Sequence, residues 1–337
     1  MKVLLTGATG FVGSHTAKAL KNAGFYLRVL VRSEEKARKV LGNLGVEADE
    51  YIIGDITDEV IVAKAVMACD AVVHAAAMVS TAAKDADLVY KTNMEGSKIV
   101  VDCSLAAGVK KIIYVSSASV MFNVGDASMD ETTAISSAQS PYAKSKIAAE
   151  RYMRALQAKG APIIMTYPTA IVGSDDPGLT EPHFGIKLFI NAFAFTSSTG
   201  MQLVNVKDIA RAHVAILQQV AGPDRFMLGG YYHRWSEMVE IIEKLTGRKL
   251  FAPLIPGIVL RFVGRCADLV AKLSGQQLVF TGEGMVYATQ WVYADRSKIE
   301  SDLSFAFTPP EETMREAIYG LYKTGHLSAK KVGYLAD

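Results

Sequence analysis

The stretch Thr6-Gly7-Ala8-Thr9-Gly10-Phe11-Val12-Gly13 decides the architecture of this chain. The apolar run before it, residues 3–5, predicts a buried strand, and residues 14–20 predict a helix. A strand that passes through glycines into a helix N-terminus presents backbone N–H groups and the positive end of the helix dipole to an anion. A tight turn without a ligand is the alternative. The glycine spacing and the flanking elements favour a site for the pyrophosphate of a nucleotide.

Composition limits the class of protein. The chain has 337 residues, of which 50% are hydrophobic and 21% charged, as in a globular protein with a large core. A net charge of +2 gives no argument for a nucleic-acid partner. The three cysteines lack C-x-x-C and metal-ligand spacing, which predicts a reducing, cytoplasmic location and no metal site.

No signal peptide or membrane-spanning segment is predicted. The first strand begins by Val3, and no apolar run reaches the roughly 18 residues that a spanning helix needs. The longest apolar run, Leu254 to Val263, is interrupted by Arg261. This run predicts either a contact with a membrane surface or, more simply, the wall of an apolar pocket.

Predicted strands and helices alternate through the first half of the chain. Strands are expected at residues 3–5, 27–31, 50–53, 71–74, 111–115 and 162–168, and helices at 13–23, 33–41, 58–67, 90–107 and 141–156. Several of these strands are apolar throughout, which predicts a parallel sheet covered by helices on both faces.

The second half of the chain is predicted to return to the sheet of the first half and not to form a separate domain joined by a hinge. Strands at 202–206 and 225–229 are expected to return to the sheet, with a helix at 208–218 between them. Another helix is expected at 236–246, with Ser236 as its N-cap and Gly247 as its C-cap. Two short helices are expected around Pro309-Pro310.

Three further features point to chemistry. Tyr142 and Lys146 are four residues apart on a predicted helix, so they share one face. Ser116-Ser117-Ala118-Ser119 follows a predicted strand, at the edge where ligands bind in parallel sheets. Asn93 lies in the preceding predicted helix. Each feature alone is common, but together they predict one active site.

These motifs, in this order, resemble the extended short-chain dehydrogenase/reductase family, which includes the NAD-dependent epimerase/dehydratases. The dihydroflavonol-reductase-like branch is the most similar. The resemblance covers nearly the whole chain and rests on T-G-A-T-G-F-V-G, G-D-I, H-A-A-A, N-M-E-G, V-S-S-A-S, Y-A-K-S-K, V-N-V-K-D-I-A-R-A-H and F-M-L-G-G.

The resemblance implies an α/β fold with a doubly wound parallel Rossmann sheet and a smaller, interwoven C-terminal substrate-binding region. Residues 1–170 would form the NADP-binding domain, with 201–220 and 225–230 returning to it. Residues 171–200 and 231–330 would form the substrate-binding region. A homodimer through the helices at 90–107 and 141–156 is also implied.

A tyrosine beside a lysine suits hydride chemistry. A free tyrosine has a pKa of about 10, and we expect the Lys146 ammonium and an oxidised nicotinamide to lower the pKa of Tyr142. Tyr142 would then act as the acid or base, and Ser117 would hydrogen-bond the substrate oxygen. The resemblance favours Ser117 over Ser116 and Ser119, assigns Lys146 to the nicotinamide ribose and gives Asn93 a supporting role.

Arg32 at the end of the second strand predicts NADP(H). Folds of this type that prefer NAD place an acid there for the ribose 2′-OH, whereas an arginine attracts a 2′-phosphate. Ser33 and Lys36 would assist. The alternative is that Arg32 faces water and that Glu34 or Glu35 reaches the ribose.

The remaining cofactor contacts follow from the resemblance. Besides the arginine, serine and lysine just described, the expected cofactor-binding residues are Gly7, Thr9, Gly10, Phe11, Val12, Gly13, Asp55, Ile56, Ala75, Ala76, Ala77, Tyr142, Lys146, Pro168, Ala170 and Ile171.

The predicted substrate is a largely apolar small molecule, because the second half is apolar around 184–195 and 254–263. The chain is thus expected to be an NADP-dependent dehydrogenase or reductase that interconverts a carbonyl and an alcohol. A nucleotide-sugar epimerase with tightly bound NAD(P) is the alternative, and a non-catalytic NADP-binding regulator is a third interpretation. His74 is expected to be a core histidine, and Asp175-Asp176 a solvated loop.

Overall fold

The computed structural model describes residues 1–80, 83–274 and 281–336. The strands are β1 (Lys2–Thr6), β2 (Tyr26–Val31), β3 (Glu50–Ile53), β4 (Ala71–His74), β5 (Lys111–Val115), β6 (Ser128–Met129), β7 (Ile163–Pro168), β8 (Ala170–Val172), β9 (Gly200–Asn205), β10 (Asp224–Leu228), β11 (Tyr231–Arg234) and β12 (Tyr293–Ala294). The α-helices are α1 (Phe11–Asn22), α2 (Glu34–Asn43), α3 (Glu59–Val66), α4 (Ala86–Tyr90), α5 (Ser97–Ala106), α6 (Pro141–Gln157), α7 (Glu181–Asn191), α8 (Val206–Gln219), α9 (Trp235–Thr246), α10 (Gly257–Ser274), α11 (Gly282–Thr289), α12 (Ser297–Asp302), α13 (Pro310–Lys323) and α14 (Ala329–Val332). Short 3₁₀ turns lie at Ala83–Asp85, Ala118–Met121 and Gly333–Ala336.

Seven parallel strands form the central sheet, in the order β10-β7-β5-β4-β1-β2-β3. Leu5 in β1 lies opposite Val29 in β2 on one side and Val73 in β4 on the other. The inner strands are buried on both faces, and a separate apolar cluster covers each face. The predicted doubly wound α/β fold is confirmed.

Local signals set the helix starts near the site. The Ser33 side chain accepts a hydrogen bond from the backbone of Lys36 at the start of α2. Asp58 caps α3, and Ser140 caps α6 just before Pro141. The predicted N-cap of α9 is wrong: that helix already includes Ser236, and Arg234 holds the cap position.

The strand expected at 202–206 forms, but it does not join the central sheet. The position beside β7 is taken by β10, where Arg225 lies opposite Met165. β9 instead pairs with β8 and β11 in a three-stranded sheet. The other two returning elements do reach the first half: β10 is the edge strand, and α8 packs on α1 through a buried Thr16 Oγ1–His213 Nδ1 hydrogen bond of 3.0 Å.

The helix expected at 90–107 begins earlier and is not uniform. It starts with α4, continues as a π-helical segment at Lys91–Gly96, and ends as α5. Asn93 lies within the π-helical segment and is buried. Wider turns of this kind recur at functional sites.

Candidate active site

The glycine turn lies where β1 ends and α1 begins. Gly7 has a φ of +78°, and a Cβ there would lie 2.6 Å from the backbone of Ala75 and Ala76. A Cβ on Gly13 would lie 2.0 Å from the Gly7 carbonyl oxygen. Both positions therefore require glycine. No side chain caps α1, so its first backbone N–H groups are open to an anion. The turn fits a pyrophosphate.

His74 holds the strand ends beneath this turn. Its Nδ1 lies 2.6 Å from Thr6 Oγ1, and its Nε2 lies 2.8 Å from Ser97 Oγ. Burial lowers the pKa of His74 to about 3, so the ring is neutral. The prediction that His74 is a satisfied core histidine is confirmed.

The end of β2 presents a free guanidinium. Arg32 is exposed and makes no hydrogen bond or ion pair with any residue that the structure describes. Glu34, which could have taken the ribose instead, is paired with Arg38 Nε at 2.8 Å. Ser33 Oγ accepts from the Lys36 backbone at 3.2 Å and keeps its own hydrogen for donation.

The other expected cofactor residues line the same edge of the sheet. Asp55, after β3, accepts hydrogen bonds from the backbone and side chain of Thr57 at 2.9 and 2.8 Å, and Ile56 is buried. The remaining expected residues are Ala75, Ala76 and Ala77 after β4, Pro168 at the end of β7, and Ala170 and Ile171 in β8. Their part in binding stays a prediction.

Ser117 and Tyr142 come together at the end of β5. Ser117 Oγ lies 2.9 Å from Ser119 Oγ. Burial raises the pKa of Tyr142 to about 12, the neighbouring Ser117 side chain opposes the rise, and the carboxyls of Glu181 and Glu283 add to it. Burial and the two carboxyls thus favour the neutral phenol, and the expected lowering of the Tyr142 pKa by Lys146 and an oxidised nicotinamide stays a prediction.

Lys146 is 3% exposed, and its Nζ donates to the Val115 carbonyl at 2.9 Å. Burial lowers the pKa of Lys146 to about 8, while Glu150 acts in the opposite direction. The ammonium thus lies beneath the end of β5, one helical turn from Tyr142. Its assignment to a nicotinamide ribose stays a prediction.

Glu150 is a component of the site that the sequence analysis missed. Its fully buried carboxylate accepts hydrogen bonds from Ser116 Oγ at 2.8 Å, Tyr167 Oη at 2.7 Å and Arg154 Nε at 2.7 Å. Ser116 is thereby held away from the cleft, which leaves Ser117 to face it. The signal was present, because Glu150 stands four residues after Lys146 on the face of α6 that carries Tyr142.

Asn93 fixes the backbone around the site. Its Oδ1 accepts from the Met78 backbone at 2.7 Å, and its Nδ2 donates to the Met78 carbonyl at 2.9 Å and to Ser145 Oγ at 2.9 Å. Ser145 Oγ donates in turn to the Tyr142 carbonyl at 2.7 Å. Asn93 therefore connects the chain after β4 to the helix that carries Tyr142.

Helices α7 and α11 approach Tyr142 from the side that faces away from the glycine turn. Glu283, in the first turn of α11, accepts a hydrogen bond from Ser140 Oγ at 3.1 Å, and burial raises its pKa. Tyr287, one turn further on, packs against Phe122 with ring centroids 4.6 Å apart. Glu181 begins α7 and makes no hydrogen bond with the described residues. No local sequence signal links these residues to Tyr142, because only the tertiary fold brings them near it.

Two expectations about the second half are corrected. Asp175 is exposed, as expected of a solvated loop. Asp176 is not solvated: its side chain is 7% exposed, lies 3.0 Å from His183 Nδ1 and accepts from the backbone of Thr180. The run from Leu254 to Val263 is not mainly a pocket wall, because Leu254 and Phe262 are among its strongly exposed side chains.

The chain matches one known protein family over most of its length. The family described as "NAD dependent epimerase/dehydratase family" matches residues 3–229. This match spans the glycine turn, Ser116, Ser117, Tyr142 and Lys146.

Individual relatives cover most of the chain. A Synechocystis protein named "Putative dihydroflavonol 4-reductase" is 25% identical over 339 residues, covering 97% of this chain and 96% of the relative. A UDP-glucose 4-epimerase of Yersinia pestis is 27% identical over 290 residues, covering 75% and 86%. A solved UDP-glucose-4-epimerase of Stenotrophomonas maltophila, with bound NAD and formylated UDP-arabinopyranose, matches with a TM-score of 0.77 at 20% identity, covering 97% of this chain and 100% of the other.

Proposed function

This chain belongs to the NAD-dependent epimerase/dehydratase family, and from that premise we propose that it is an NADP(H)-dependent oxidoreductase that interconverts a carbonyl and an alcohol on a largely apolar small molecule. The proposal rests first on one observation, the unpaired guanidinium of Arg32 at the end of β2. An arginine fork there would bind a 2′-phosphate, with Ser33 and Lys36 as further donors.

The residues around Tyr142 suit proton delivery to a reduced carbonyl. A nicotinamide dinucleotide, when bound, supplies or accepts the hydride. Tyr142, whose pKa is raised to about 12, is protonated near neutral pH and can donate its proton to the oxygen that gains charge. Ser117 hydrogen-bonds that oxygen, Lys146 holds the ribose, and Asn93 fixes the backbone on which Tyr142 stands.

Two features favour reduction of an apolar substrate. The wall beside Tyr142 is aromatic, since Phe122 packs against both Tyr287 and Trp291, with the Trp291 ring centroid at 5.9 Å. The likeness to the Synechocystis protein extends over nearly the full length of both chains, including the second half that would contact the substrate.

The cofactor proposal is tested by kcat/KM for NADPH and NADH, in the wild type and in Arg32→Ala. We expect the wild type to prefer NADPH, and the variant to lose about tenfold or more with NADPH and little with NADH. Lys39→Ala, an exposed change on α2, is the matched control and should leave both values unchanged. A wild type that prefers NADH would overturn the assignment.

The reaction is tested with a panel of apolar ketones, aldehydes and alcohols, followed at the NADPH absorbance. We expect oxidation of one NADPH for each carbonyl reduced. Nucleotide sugars form the second arm of the panel. Turnover of a nucleotide sugar without net change in NADPH would replace the oxidoreductase with an epimerase.

The epimerase alternative is favoured by the relatives of that name and by the carboxyls of Glu181 and Glu283 near Tyr142. Those carboxyls would accept hydrogen bonds from the hydroxyl groups of a sugar. An epimerase of this kind retains its NAD(P) through the cycle, so release of the dinucleotide on denaturation of the purified protein also distinguishes the two functions.

A further inference from the structure

Helix α10 is fixed to the rest of the molecule along one face. Leu260 is buried, and Gly264 packs so closely on α11 that a Cβ there would lie 2.8 Å from the Thr281 carbonyl oxygen. Arg261 Nη1 donates to Thr289 Oγ1 at 2.9 Å, and Asp268 accepts from the Gly282 backbone at 3.0 Å. These contacts define an inner face, and the residues that the structure describes leave the outer face of the helix uncovered.

The outer face is apolar and strongly exposed. Ile258, Phe262 and Leu269 are 70%, 67% and 59% exposed. Their spacing of four and seven residues places them on one side of the helix. Val259, Val263 and Val270 widen the same surface, and Phe251 and Leu254 extend it before the helix begins. Exposed apolar surface of this extent on one helix indicates an interaction site.

One edge of this face is basic. Arg265 is exposed and makes no hydrogen bond or ion pair with the described part of the chain. The acidic neighbour on the helix, Asp268, is already bound to the Gly282 backbone. An unpaired cation beside an apolar stripe complements a surface that is anionic outside and apolar within.

We propose that the outer face of α10 docks on an anionic lipid surface, with Ile258, Phe262 and Leu269 inserted among the acyl chains and Arg265 at the headgroup phosphates. A protein partner is disfavoured, because the convex stripe offers hardly any polar group to fix a partner's orientation. The helix would lie in the plane of the membrane surface. Within the described residues no helix is long and apolar enough to cross a bilayer.

The test is flotation of the full-length protein with vesicles of phosphatidylcholine alone and of phosphatidylcholine with phosphatidylglycerol. We expect binding to the anionic vesicles, weaker binding to the neutral ones, and weakening by salt. The Ile258→Gln/Phe262→Gln variant should bind at least about tenfold more weakly to both vesicle types. Arg265→Gln should lose affinity for the anionic vesicles alone.

The matched control is Val60→Gln/Met67→Gln, which removes two exposed apolar side chains at α3 and its end. This variant should bind vesicles like the wild type. Absence of wild-type binding to anionic vesicles would overturn the proposal, as would undiminished binding by the α10 variant. A wild-type dimer that α10 substitution converts to a monomer, without vesicle binding, would show that a second copy covers this face. None of these readouts depends on which reaction the protein catalyses.

Discussion

On the side of Tyr142 that carries the glycine turn, the buried side chains of Glu150 and Asn93 are paired with protein partners, whereas the side formed by α7 and α11 leaves its carboxyls largely unpaired. Glu150 has three hydrogen-bond donors, and Asn93 uses both ends of its amide. Glu283 has one donor, and Glu181 has none among the described residues. The first side is organised before any ligand binds, and the second is left for a ligand to complete.

The largest effect on activity is expected from a substitution of Tyr142, which lies between the two sides. Tyr142→Phe removes only the hydroxyl that would exchange the proton, so kcat/KM on the best panel substrate should fall by about a hundredfold to ten-thousandfold. Dinucleotide binding, followed by fluorescence titration, should persist. Tyr152→Phe, on the same helix but bonded to Asp102 at 2.5 Å, is the control and should stay active. Full turnover by Tyr142→Phe would remove Tyr142 from the mechanism and revive a purely binding role.

A second substitution tests how rigid the glycine-turn side is. A methyl group at Gly13 would lie 2.0 Å from the Gly7 carbonyl oxygen, so Gly13→Ala must displace the turn. We expect a loss of about 1–3 kcal/mol in the free energy of unfolding and weaker dinucleotide binding. Gly42→Ala in α2, where the methyl group meets nothing within 4 Å, should instead stabilise the protein by about 0.5–1 kcal/mol. The two are compared by denaturant unfolding, and equal unfolding midpoints would contradict the prediction.

The third prediction concerns Glu150. Lys146 holds its charge only below its pKa of about 8, so kcat/KM should decline as the pH rises through that value. Glu150→Gln removes the carboxylate that favours the ammonium, which lowers the Lys146 pKa further and moves the decline to lower pH. At pH 8 the loss should be about fivefold for a fall of one pKa unit, since the protonated fraction of Lys146 then drops from about one half to about one tenth.

The control for this prediction is Tyr167→Phe, which removes a hydrogen bond of 2.7 Å to the same carboxylate without changing its charge. Its pH profile should match that of the wild type even if the protein is less stable. If both variants shift the profile equally, Glu150 acts through packing and not through charge.

The smallest effect is expected on the α11 side. Glu283→Gln keeps the shape of the side chain and removes a carboxyl that raises the Tyr142 pKa, so that pKa should fall below about 12 in an ultraviolet titration. KM should change a few-fold, with little change in kcat, because a group left for the ligand contributes mainly to binding. Glu312→Gln, an exposed first-turn residue of α13, should change neither value. A large loss of kcat in Glu283→Gln would contradict the comparison between the two sides.

The sequence predicted the glycine-turn side well because its signals are local. A strand, a glycine turn and a helix follow one another along the chain, and Tyr142, Lys146 and Glu150 repeat at the spacing of one helix. The bounds of β3, β4 and β5 were predicted to the residue. The site roles of Ser117, Tyr142 and Lys146 stay predictions until the variants are measured.

The α11 side could not be predicted in this way. Glu283 and Tyr287 reach the surroundings of Tyr142 only because α11 packs against Ser140 and Phe122. No periodicity in the sequence encodes such a contact. The raised pKa of Tyr142 could not be predicted for the same reason, since burial and the two carboxyls depend on tertiary neighbours. The predicted placement of β9 in the central sheet was wrong, because the sequence pattern of a strand does not specify the strand with which it pairs.

The repeated crossing of the chain between its two sheets limits how this protein can diversify. After β7 the chain enters the small sheet, returns through α8 and β10, and leaves again at β11. An exchange of the second half by recombination at one breakpoint would remove α8 and the edge strand β10, along with the buried Thr16–His213 bond. New substrate specificities must therefore arise by replacing single helices and loops, such as α7 and the pair α10–α11. The two sheets and the elements that connect them are then retained together.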